Sequence, residues 1–134
     1  MKQLKIGLIG FGTVGAGLIE TLQQNAPLIG KRKGFLPVIT KVADLDITSD
    51  RGVTVSPEIL TTDAFALISS NDVDVVVELI GGIEPAKQFI IAALEQGKPV
   101  VTANKALLAT HGEELFSIAK KHNTEIYFEA SAGG

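Results

Sequence analysis

The segment Asp74-Val75-Val76-Val77-Glu78-Leu79-Ile80 constrains this chain more than any other. A continuous β-branched run without polar alternation suits a strand covered on both faces, as in the middle of a parallel sheet. Parallel strands need long crossover connections, usually helical, and the rest of the chain supplies them. Short apolar runs alternate with helical periods from end to end, the pattern of an α/β domain. Leu4 to Ile9 is an apolar run that ends in glycine, and from Val14 the apolar positions Leu18 and Leu22 recur every fourth residue, as one helix face requires. The basic stretch Gly30-Lys31-Arg32-Lys33-Gly34 reads as a surface loop ahead of a second strand through Val38, Ile39, Val42 and Ala43.

Asp44 to Thr62 reads as polar and irregular. Asp63, or the threonines before it, is placed to cap a short helix through Phe65, Leu67 and Ile68. After the valine run, Pro85 suits a first helical turn, Phe89, Ile90, Ala93 and Leu94 form an apolar stripe, and Gly97 terminates the helix. Pro99 to Thr102 is a fourth strand, Asn104 to Ala109 a helical turn or two, Gly112 to His122 a helix, and Ile126 to Glu129 a fifth strand. His111 is expected at a helix start and His122 at a helix end, too far apart to be a ligand pair. Glu78 needs either a hydrogen-bonding partner or the wet end of its strand, and the second is expected.

At 134 residues the chain is one domain, able to bury a core without staples. A net charge of −3 and an aromatic content of 5% leave neither a basic footprint nor stacking platforms for nucleic acid. The absence of cysteine excludes thiol catalysis and thiolate metal sites. No apolar run approaches the roughly 20 residues of a membrane-spanning helix, so a cytoplasmic protein without membrane partners is expected. The length is short for an enzyme with both a large cofactor and a separate substrate.

Gly10-Phe11-Gly12-Thr13-Val14-Gly15 matches G-x-G-x-x-G directly after a strand and at the opening of a helix, the context of a dinucleotide-binding turn. Gly10 permits the tight turn, Gly12 lets backbone approach a pyrophosphate, and Gly15 lets helix and strand pack closely. Free N–H groups and the positive helix end then face the phosphates. The expected fold is a Rossmann-type, doubly wound, mostly parallel sheet of about five strands with helices on both faces. The ribose partner is an acidic residue at the end of the second strand. Asp44 is the candidate, 29 residues past Gly15, with Asp46 as an alternative occupant. A carboxylate there accepts from both ribose hydroxyls and repels a 2′-phosphate, which leans toward NAD over NADP, although Lys41 and Arg51 are available to a phosphate.

Glu78-Leu79-Ile80-Gly81-Gly82, Val101 to Ala109, and Phe128-Glu129-Ala130-Ser131, together with the glycine turn, closely resemble homoserine dehydrogenase over essentially the whole chain. The resemblance is to that family's amino-terminal nucleotide-binding domain. It implies a reversible, nicotinamide-dependent reduction of aspartate 4-semialdehyde to homoserine, on the route to threonine, isoleucine and methionine. It places Phe11, Thr13 and Val14 on the cofactor pyrophosphate and ribose, Ile80 and Gly81 near the nicotinamide half, and Asn104 and Lys105 at the cofactor, with Lys105 an accessory catalytic group beside the substrate. NADP-using members tend to carry a basic residue where this chain has Leu45. The family commonly runs Glu-Ala-Ser-Val-Ala-Gly-Gly, whereas Glu129 to Gly134 is one residue shorter; in some members this loop holds a sodium ion, and Glu129 matches the glutamate. The principal catalytic lysine and the acidic substrate-binding residues belong to a second domain, expected beyond residues 1–134. The ending Ala132-Gly133-Gly134 accordingly reads as cut. Homo-oligomers are expected only with that missing domain. A free-standing NAD-binding or sensing module is the alternative, and the retained Asn104, Lys105 and Glu129 favour the enzyme.

Overall fold

The computed structural model describes residues 3–10, 36–44 and 57–128. Six strands form one sheet: β1 (Gln3–Ile9), β2 (Leu36–Ala43), β3 (Leu60–Thr61), β4 (Val75–Glu78), β5 (Val100–Thr102) and β6 (Ile126–Phe128). All pairings are parallel and the spatial order is β3-β2-β1-β4-β5-β6. This is the doubly wound order, in which the chain reverses direction across the sheet between β1 and β4. The valine run does lie inside the sheet, with all four β4 residues buried.

The sheet has one strand more than expected. Leu60 and Thr61, in the stretch read as irregular, pair with Val42 and Ala43 after a 3-10 turn at Pro57–Ile59. Two residues are too few to show an alternating pattern, so only the neighbouring strand reveals them.

Three helices are described: α1 (Ala64–Ser69), α2 (Ala86–Glu95) and α3 (Lys105–Lys121). Asp63 caps α1 as expected, its Oδ1 accepting from Ala66 N at 3.1 Å. At the other end of α1, Lys98 Nζ donates to the carbonyls of Ile68 and Ser70, a cation placed on the negative helix end. Burial lowers the Lys98 pKa below the ordinary lysine value, and the charge of Asp74 acts in the opposite sense. Pro85 precedes α2 and Gly97, at φ 76°, follows it.

The two helical segments expected on either side of Gly112 are one continuous α3, which puts His111 in mid-helix and leaves His122 at the C-cap. A glycine inside a helix costs about 1 kcal/mol relative to alanine, an amount that packing offsets here, because Gly112 lies on the buried face with Leu107, Leu115 and Ala119.

The strands separate the core into two layers by alternation. Val76, Val100 and Ile126 join Leu67, Ile68, Ile90, Leu94, Leu107 and Leu115, so all three described helices share one face. Leu4, Ile6, Leu8, Val75, Val77 and Val101 are buried on the other face. The helix expected from Val14 lies outside the described residues.

Candidate functional site

In open α/β sheets, ligands bind beyond the carboxyl ends of the strands where the order reverses, here β1 and β4. Gly10 leaves β1 with φ 90°, a region that residues with a Cβ rarely adopt. A Cβ at Gly10 would also lie 3.0 Å from Ile80 N and 3.1 Å from the Leu79 carbonyl carbon. The glycine thus serves both the turn and a close approach to the chain leaving β4. Leu79 N donates to Ile9 O at 2.8 Å, and Gly10 N donates to Ala43 O at 2.7 Å, so the ends of β2, β1 and β4 are tied together. Asp44 follows directly on β2, its N–H bonded to Thr61 O at 3.0 Å. The expected ribose carboxylate therefore stands one residue from the backbone that holds Gly10.

Beyond β4, Gly81 and Gly82 adopt φ 76° and 73°, and a Cβ on either would meet nothing within 4 Å. Their glycine character is a matter of backbone conformation beside open space. Ile80 is 42% exposed at the same edge. Lys105 is exposed as the first residue of α3, following the cap residue Asn104.

Glu78 corrects the expectation of a wet strand end, since it is only 1% exposed. Its Oε1 accepts from Thr102 Oγ1 at 2.7 Å and its Oε2 from Gly81 N at 2.9 Å. Thr102 Oγ1 in turn accepts from Asn104 N at 3.0 Å. The Asn104 side chain is occupied twice: Oδ1 caps α3 by accepting from Leu107 N at 3.1 Å, and Nδ2 donates to Gly82 O at 2.7 Å. Asn104 is thus tied to the glycine loop as well as to the helix. The pairing of Glu78 with Thr102 was not anticipated from the sequence. The signal available was a carboxylate closing an otherwise apolar run, with a threonine closing the next strand.

The structure brings together Gly10, Ile80 and the residue preceding Asp44, and separately Gly81, Gly82 and Asn104, with Lys105 next in the chain. Phe11, Gly12, Thr13, Val14, Gly15 and Glu129 lie outside the described residues. Among the described residues no group of three or more acidic or histidine side chains is placed to hold a metal ion.

Residues 10–129 match the family model described as homoserine dehydrogenase, NAD binding domain. The chain is 43% identical to the homoserine dehydrogenase of Bacillus subtilis over 134 residues, covering all of this chain and 31% of that protein. A crystal structure of S. aureus homoserine dehydrogenase superposes with a TM-score of 0.81 at 35% identity, covering 96% of this chain and 33% of that one. A hyperthermophilic archaeal homoserine dehydrogenase solved in complex with NADPH shares the fold, with a TM-score of 0.73 at 23% identity, over 96% of this chain and 44% of that one. The chain thus spans about a third of the length of the first two. Gly10 at the β1–β4 reversal, the Glu78-to-Gly82 and Thr102-to-Ala109 segments, and these matches agree: the chain belongs to the homoserine dehydrogenase family, through that family's NAD-binding domain.

Proposed function

We propose that this chain is the cofactor-holding portion of an enzyme that interconverts aspartate 4-semialdehyde and homoserine in threonine, isoleucine and methionine biosynthesis. The observation that carries the reading is Gly10, at φ 90° and without room for a Cβ beside the backbone of Leu79 and Ile80, at the sheet's reversal point. The residues present fit a dinucleotide. Gly10 and the following turn would receive the pyrophosphate, Asp44 the adenosine ribose, and the open side of Gly81 and Gly82 the nicotinamide half. When bound, the nicotinamide supplies or accepts the hydride.

Lys105 is read as the accessory catalytic group. A cation on the first turn opposes the helix dipole, so its place is better explained by an anionic ligand or a developing oxyanion than by helix stability. Residues 1–134 are read as one dinucleotide-binding domain, with the principal catalytic lysine and the oligomer contacts in a further domain. A cytoplasmic setting fits the small-molecule substrate; among the described residues no helix is long and apolar enough to cross a membrane. Asp44, and Leu45 where NADP users carry a basic residue, favour NAD. Glu129 is the proposed carboxylate of a sodium site, and no chemical step depends on it.

Calorimetric titration of the 134-residue domain with NAD and NADP tests the cofactor reading. Binding is expected, tighter for NAD, and is lost in Gly12→Val with the fold retained. Tighter NADP binding refutes the preference; no binding of either refutes the reading. The intact protein is expected to reduce aspartate 4-semialdehyde, and Lys105→Ala to lower kcat/KM. The isolated domain is expected not to turn over.

A further inference from the structure

Among the described residues, Glu78, Thr102 and Asn104 are the buried polar side chains, and they form one hydrogen-bonded chain. Elsewhere the described interior is apolar. Burying a carboxylate is costly unless it is fully bonded, and sheet formation does not ask for one here. β4 and β5 pair through their backbones, and Val76 and Val77 meet Val100 and Val101 without polar side chains. Capping of α3 needs only Asn104 Oδ1.

The chain of bonds has its two free ends on one loop. Glu78 Oε2 holds Gly81 N and Asn104 Nδ2 holds Gly82 O. Both glycines have positive φ, and neither has side-chain packing to fix it. Glycine has more conformational freedom than any other residue, so a loop of two consecutive glycines over open space needs an external constraint to keep a single shape. A buried polar network with both ends anchored is such a constraint.

Resting on the reading of this edge as a dinucleotide crevice, we propose that Glu78 is a positioning residue. Through Gly81 N–H and the Thr102 hydroxyl it sets the shape of the Gly81–Gly82 loop that receives the nicotinamide half of the cofactor. Glu78 is buried and touches no ligand; it acts through the loop. In the doubly wound fold the acidic residue after β2 takes one mononucleotide half. The loop after β4 stands on the opposite side of β1, so the constraint concerns the other half alone.

The test uses the intact protein with three variants, Thr102→Val, Thr102→Ser and Glu78→Gln, and two probes, NAD and ADP-ribose, which lacks the nicotinamide. Thr102→Val keeps the β-branched shape and deletes both the donor to Glu78 and the acceptor for Asn104 N. Losing these hydrogen bonds is expected to weaken NAD binding about tenfold while ADP-ribose affinity changes less than about twofold. Thr102→Ser restores the hydroxyl and is expected to recover NAD affinity. Glu78→Gln can satisfy only one of the two donors as an acceptor and is expected to show the same split, which keeps the proposal testable if Thr102→Val does not fold. Equal losses for both probes, or unchanged NAD binding in Thr102→Val, overturn the positioning role. Unmodified protein that binds neither probe overturns the dinucleotide reading beneath it, a result distinct from either of those.

Discussion

Thr102 Oγ1 donates a 2.7 Å hydrogen bond to Glu78 Oε1 between two residues that are register partners across β4 and β5. The pair sits at the last position of each strand, on the face packed by the described helices, where the sheet gives way to the loops of its carboxyl edge. Removing the carboxylate strands the buried Thr102 hydroxyl, takes the acceptor from the part-buried Gly81 N–H, and opens a cavity. Glu78→Ala is therefore expected to lose about 3 kcal/mol of unfolding free energy, measured by urea denaturation. A loss below about 1 kcal/mol, the usual net worth of one hydrogen bond, would contradict the network's closure.

Gly10→Ala combines an unfavourable φ with a Cβ 3.0 Å from Ile80 N and 3.1 Å from the Leu79 carbonyl carbon, a few tenths of an ångström inside ordinary van der Waals contact. Backbone cannot swing aside as a side chain can. A destabilisation of about 1–3 kcal/mol is expected, with weakened NAD binding because the turn itself must shift. Thermal denaturation and nucleotide titration of the same variant measure the two effects.

Gly7 lies in the middle of β1 with its face toward α1. A Cβ there would sit 2.6 Å from Leu67 Cδ2 and 2.9 Å from Val73 Cγ1, both in the buried core. Gly7→Ala is expected to cost about 1–3 kcal/mol by overpacking. Gly7 precedes Gly10 by three residues and faces α1, away from the proposed nucleotide contacts, so nucleotide affinity of the folded fraction should hold, and a denaturation curve read beside a binding isotherm separates the two.

Asn104 has two separable duties. Asn104→Asp keeps an oxygen for Leu107 N and deletes the donor to Gly82 O, whereas Asn104→Ala deletes both. Loss of the cap costs about 1 kcal/mol. The alanine variant should therefore melt lower than the aspartate variant, while both weaken NAD binding. Equal melting temperatures would show that the cap contributes nothing.

Tyr127 is the only tyrosine, so its titration can be read directly from phenolate absorbance. Burial, then the hydrogen bond to the Glu125 carboxylate, then that carboxylate's charge, push its pKa from 10.0 up to about 12. The folded state thus holds the proton more tightly than the unfolded chain. The resulting stability is present below pH 10 and is lost as pH rises toward about 12. Glu125→Gln should bring the absorbance transition down in pH; an unmoved transition would remove Glu125 as a cause.

Local chemistry was enough to read much of this protein. The valine run declared a strand buried on both faces, Asp63 and Gly97 marked helix ends, and the glycine after Ile9 marked the exit from β1, because each depends on neighbours a few residues away. The family followed from motif strings at Glu78 to Gly82 and Thr102 to Ala109. Tertiary structure decided what depends on a partner distant in sequence. β3 is a strand because β2 lies beside it, and α3 runs through Gly112 because its buried face packs there. Glu78 is dry because Thr102, 24 positions on, and the returning Gly81 N–H meet its two oxygens. Periodicity and propensity show which residues are able to be buried. Whether a buried carboxylate is satisfied depends on donors that only the folded chain brings within 3 Å.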